Sequence, residues 1–73
     1  MRVITLTALE ETSSLAPWQV SGTTDEGQDF YARSRHGGWR IELDGEVIAD
    51  GAGHVYDMHT LCEMSGIDIS VPE

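Results

Sequence analysis

Seventy-three residues carrying thirteen acids, four bases and a formal net charge of −9 describe a small, strongly anionic chain. Such a charge repels DNA, RNA and anionic membranes and draws the chain to cationic surfaces; the plainer alternative is that the acids serve solubility. A hydrophobic fraction of 40% argues against wholesale disorder, and the length suits one domain, 1–73, with a core near the lower limit for independent folding.

Every base is arginine, and Cys62 is the one cysteine, so no internal disulfide forms. That fits a reducing, cytoplasmic setting. Met1-Arg2 leads into alternation rather than an apolar run, which is unlike a signal peptide. No stretch approaches the roughly 20 apolar residues that cross a bilayer.

In chain order, residues 2–9 alternate around Ile4, Leu6 and Ala8 and predict a first strand. Residues 10–17 read as a polar loop in which Pro17 holds Ala16 extended and Leu15 tucks back onto the core. A four-strand meander follows, over about 18–24, 28–36, 39–43 and 46–50. Asp25-Glu26-Gly27 suits a three-residue hairpin loop with Gly27 left-handed. That loop pairs Thr24 with Gln28, Gly22 with Phe30, Val20 with Ala32 and Trp18 with Ser34. Gly37-Gly38 suits a two-residue turn pairing His36 with Trp39, Ser34 with Ile41 and Ala32 with Leu43. Both turns place Trp18, Val20, Phe30, Ala32, Trp39, Ile41 and Leu43 on one face. Asp44-Gly45 signals a third turn; two residues there send Ile48 inward, three send Val47 and Ala49.

Val55, Met58, Leu61, Cys62 and Ser65 recur at helical spacing and predict a helix over about 55–65. Gly66 suits the left-handed position past its end, with Ile67 folding back. Ile67, Ile69 and Val71 alternate again in an extended tail over 67–71 that Pro72 ends. The expected fold class is α+β: a single antiparallel β-sheet, a four-stranded meander plus an N-terminal strand, with one short α-helix packed on its inner face.

Four groups of residues bear on chemistry. The outer sheet face carries Gln19, Ser21, Tyr31, Arg33, Arg35, Arg40 and Glu42. The expected register sets Arg33 opposite Glu42, an ion pair of about 0.2–1 kcal/mol, and Arg35 opposite Arg40. This face is either an arginine patch for carboxylate or phosphate, or a solvated surface whose arginines pair with surplus acids. The second group is acidic: Asp25, Glu26, Asp29, Glu42, Asp44, Glu46, Asp50, Asp57, Glu63 and Asp68. On a rigid scaffold such carboxylates imitate a phosphate backbone and fit a groove built for nucleic acid. The third group is His54, Asp57, His59 and Cys62. It resembles half a metal site or a thiol–histidine pair, yet it lacks further ligands, and Cys62 falls near the apolar stripe as a buried thiol would. Gly51-Ala52-Gly53 is a fourth, phosphate-loop-like feature without the spacing or the lysine of a nucleotide-binding motif, so it reads as a connector. Trp18 and Trp39 read as core, and Tyr31 and Tyr56 as contact residues.

No nucleophile, oriented histidine or acid pair stands out, so the expected class is a non-enzyme without cofactor or metal. In size, acidity, α+β build and absence of catalytic motifs the chain resembles phage-encoded anti-CRISPR proteins. The resemblance is one of type and assigns no residue a role. It implies a stoichiometric inhibitor that blocks the DNA-binding surface of a Cascade- or Cas-type effector. The expected protein is a monomer or homodimer in the cytoplasm, the host's if it is phage-encoded. The alternatives are a ligand-binding or accessory module using Tyr31, Arg33, Arg35 and Arg40, or a small phage assembly protein.

Overall fold

The computed structural model describes residues 2–14 and 17–72; Leu15 and Ala16, with the tuck and the extended conformation expected for them, lie outside those residues. The elements run β1 (Val3–Ser14), β2 (Trp18–Thr24), β3 (Asp29–Arg35), β4 (Gly38–Leu43), β5 (Glu46–Ala52), α1 (Met58–Ser65) and β6 (Asp68–Ser70). Their spatial order is β5-β4-β3-β2-β1-β6.

The expected single antiparallel sheet of four strands plus one is corrected here. Six strands form a mixed sheet, curled into a half-barrel, in which β6 runs parallel to β1. The parallel pair follows from the path of the chain. The segment after β5 travels back along the strand direction while crossing the open side of the half-barrel, so β6 re-enters beside the start of β1, with Val3 opposite Asp68 and Ile4 opposite Ile69. The helix touches both β5 and β6, the two outermost strands. It plugs the gap between the sheet's edges rather than lying across one flat face.

The expected inner face is buried throughout: Trp18, Val20, Phe30, Ala32, Trp39, Ile41 and Leu43 are joined in the core by Ile4, Leu6, Val55, Leu61, Ile67 and Ile69. Cross-strand rows show how the curl closes. One row reads Trp18, Ser34, Trp39, Gly51, and the next reads Val20, Ala32, Ile41, Ala49. Large and small side chains alternate along each row, so each large one lies over a small neighbour, as close packing of the interior requires. Gly51 is required by this arrangement, because a Cβ there would sit 2.7 Å from Cζ2 of Trp39.

The first meander hairpin has the expected register, with Trp18 opposite Ser34, Val20 opposite Ala32 and Gly22 opposite Phe30. Gly27 is left-handed at φ 81°. The buried Thr24 hydroxyl secures the turn by accepting from the Glu26 and Gln28 amides at 3.3 and 3.1 Å. The second hairpin differs. Its turn is His36-Gly37, both left-handed at φ 55° and 75°, and Ser34 pairs with Trp39, Ala32 with Ile41 and Phe30 with Leu43. The shift of two residues keeps every side chain on its expected face but changes every partner. It sets Trp39 between Ser34 and Gly51, the small residues its indole needs. The left-handed His36 costs about 1–2 kcal/mol, which that packing offsets. After the Asp44-Gly45 turn a two-residue register gives way to a bulge. Glu42 pairs with Val47 and Ile41 with Ala49, so Ile48 is the extra residue, and both Ile48 and Ala49 pack against the core.

The first strand continues through Glu10–Ser14, which the sequence reads as loop. Its second half pairs with β2 as far as Ser14 opposite Trp18, with little of either face buried. Alternation leaves no trace where neither face enters the core. Glu11 has a specific task there, because its carboxylate accepts the Trp18 indole N–H at 3.0 Å. The helix begins later than expected. Asp57 is the N-cap, in extended conformation, and its carboxylate accepts from the Thr60 amide. His54 to Tyr56 therefore lie outside the helix, and Val55 reaches the core from a loop, not from a helix turn. Gly66 closes the other end at φ 72° with its amide on the Cys62 carbonyl, as expected.

Candidate functional site

The meander sorts charge along the strand direction. Both the Asp25-Glu26-Gly27 loop and the Asp44-Gly45 turn lie at the end of the sheet where β3 begins and β4 ends. The two tips are tied together reciprocally: the Asp44 amide donates to the Asp29 carbonyl, and the Asp29 amide donates to Asp44 Oδ1, both at 2.8 Å. Asp25, Glu26, Asp29, Asp44 and Glu46 thus gather on one end, and all five residues are exposed. Arg2 lines a small cleft beside Asp25 and Glu26. Five carboxylates therefore face one guanidinium.

The other acids named from sequence lie elsewhere. Glu42 Oε2 stands 3.0 Å from Arg40 Nε on the outer face. That contact is electrostatic rather than a directed hydrogen bond, since the buried Nε–H is not aligned on an acceptor. Asp50 is the cross-strand neighbour of Arg40. Asp57 caps the helix, and hydrogen bonds from the Thr60 hydroxyl and amide, both 2.7 Å, hold its carboxyl below the usual aspartate value, with a smaller contribution from His59. Glu63 pairs one turn along the helix with His59 at 3.2 Å, and both side chains are well exposed. Asp68 opens β6 beside Val3.

At the opposite end of the meander lies an open groove of about 640 Å³. Arg33, Arg35 and Arg40 line it, together with His36, Gly37, Gly38, Trp39, Asp50, Gly51 and Ala52. The register correction matters most here. Arg33 stands directly opposite Arg40, Tyr31 takes the place opposite Glu42, and Arg35 faces Gly38. The expected Arg33–Glu42 and Arg35–Arg40 neighbours do not form. Among the described residues no carboxylate lies within ion-pair distance of Arg33 or Arg35.

The histidine and cysteine group does not converge. Cys62 is half-buried with its thiol 3.8 Å from the Ile69 carbonyl, and the exposed His54 ring stacks on Tyr56 at 5.9 Å. No three His, Cys, Asp or Glu side chains among the described residues come together as a ligand set. Gly51-Ala52-Gly53 ends β5 and turns toward Val55, at a distance in sequence from the helix N-terminus. Tyr31 is half-buried on the outer face, and Tyr56 is 62% exposed.

Sequence reasoning passed over Ser34, Thr24 and Glu11. Ser34 and Thr24 are the two buried polar side chains of the described core. Ser34 lies on the inner face by alternation, so a hydroxyl in an apolar row was its legible signal. No helix of the described residues is long and apolar enough to cross a membrane. No protein-family model, curated protein or solved structure matches the chain.

Proposed function

We propose that this chain is a non-catalytic inhibitor that binds a basic partner through the acidic end of its sheet, occupying a surface built for nucleic acid, in the manner of the anti-CRISPR proteins it resembles. The observation that carries this reading is the joining of the two hairpin tips, which groups Asp25, Glu26, Asp29, Asp44 and Glu46. Carboxylates fixed on rigid turns bind a cationic groove at lower entropic cost than carboxylates on a flexible tail. They release the groove's counterions as phosphates would. This reading assigns the contact to those five residues; Asp50, Asp57 and Glu63 lie apart from them, and Glu42 borders them on the outer face, paired with Arg40.

The test is displacement of a fluorescent target duplex from a Cascade-type effector. The chain displaces the duplex in proportion to its concentration, and adding salt weakens displacement steeply. The joint variant Asp25→Lys, Glu26→Lys, Asp29→Lys abolishes displacement, while Arg35→Gln leaves it intact. Displacement that survives the charge reversal, or that is indifferent to salt, refutes the acidic end as the contact. An undisturbed duplex refutes this effector as the partner.

A further inference from the structure

In a chain with thirteen acids and four bases, each arginine is expected to be surrounded by carboxylates. Arg33 and Arg35 have none within ion-pair distance among the described residues, and Arg33 stands opposite a second guanidinium, that of Arg40. Like charges directly opposite on a sheet destabilise it. Among the described residues the one carboxylate paired with this cluster is Glu42, on Arg40; Asp50 lines the groove without pairing. The floor beside the arginines is bare: Arg35, Gly38 and Ala52 form one cross-strand row, so no long side chain fills the space.

From this arrangement we infer that the groove is a binding site for a phosphate oxyanion, free or as the monoester of a small molecule. Arginine forks match the tetrahedral oxygens in pairs. A dianion suits the unpaired Arg33 and Arg35, with Arg40 on the facing strand, better than a carboxylate does: Asp50 lines the same groove and leaves both unpaired. The volume falls within the range of small-molecule sites, about 300–1,000 Å³. The acidic end does not oppose binding. Six residue steps along β3 separate Asp29 from Arg35, about 20 Å at roughly 3.3 Å per residue, more than twice the screening length of about 8 Å in physiological salt.

The experiment is an amide NMR titration of the full chain at fixed ionic strength, with inorganic phosphate, glycerol 3-phosphate and acetate as separate arms. Saturable shifts confined to Gly37, Gly38, Gly51 and their neighbours are expected with the phosphates. Tighter binding of glycerol 3-phosphate identifies a monoester site, and equal binding identifies free phosphate. Arg33→Ala weakens binding about ten- to a hundred-fold. Arg35→Gln, at an exposed position that cannot disturb the core, gives a comparable loss should Arg33→Ala fail to fold. Shifts that are absent, spread over the surface, matched by acetate or unchanged in the variants overturn the inference. So do groove shifts that follow protein concentration rather than phosphate, because these place the acidic end of a second copy in the groove.

Discussion

Replacing Ser34 by alanine tests the core at the point where the sheet and the helix segment are joined. The Ser34 hydroxyl accepts the Val55 amide at 3.0 Å, and neither residue has appreciable access to solvent, at 4% and 0% exposure. Alanine removes the acceptor and leaves the Val55 N–H without one where water does not reach. A buried donor stranded in this way costs about 1–3 kcal/mol. Against the roughly 0.05–0.15 kcal/mol per residue that typifies folded domains, this is a large part of the chain's stability. At about 4–8 °C per kcal/mol for a domain of this size, the melting temperature falls by about 4–24 °C. Thermal and urea melts measure the loss, and amide exchange localises it: Val55 and the residues leading into α1 exchange faster while the β3–β4 ladder keeps its rank. A fall of less than about 2 °C, with Val55 as slowly exchanging as before, refutes the claim that this bond fixes the entry to the helix.

Two further outcomes test particular elements. His36→Asn stabilises the protein by roughly 0.5 kcal/mol in urea melts, because asparagine followed by glycine suits a turn in which both residues are left-handed; a destabilisation instead favours a register in which residue 36 belongs to the strand. Protonation of Asp57 weakens the helix cap, because the neutral carboxyl is a poorer acceptor for the Thr60 amide. Its folded pKa lies below the ordinary 3.8, so its contribution is complete above that value and is lost as pH falls through the lower, folded value. The helical circular-dichroism signal of Asp57→Asn therefore lacks the part of the acid transition below pH 3.8 that the native chain shows, and identical acid limbs contradict the assignment.

The charge pattern became readable only with the fold. Asp25, Glu26 and Asp29 are neighbours in sequence, but their union with Asp44 and Glu46 depends on β3 serving two hairpins at once. The arginine groove likewise depends on where the second turn falls. Two consecutive glycines suggest a turn on themselves, and local preference gives no reason to place His36 in a left-handed conformation. The reason lies across the sheet, in the demand of Trp39 for Ser34 and Gly51 as neighbours.

The sequence by itself determined which side chains of β2, β3 and β4 face inward, because alternation along a strand is a local geometric property that survives even a register shift of two; the bulges in β1 and β5 lie outside that rule, and Ala8 is exposed. It also determined the Asp25-Glu26-Gly27 loop, the Asp44-Gly45 turn and the Gly66 helix end, where backbone conformation narrows the choice of residue. Only the tertiary structure decided the parallel placement of β6, the length of β1 beyond Leu9 and the partner of each arginine. These depend on which elements meet across the half-barrel, and the free energy of such meetings belongs to pairs of residues far apart in the chain.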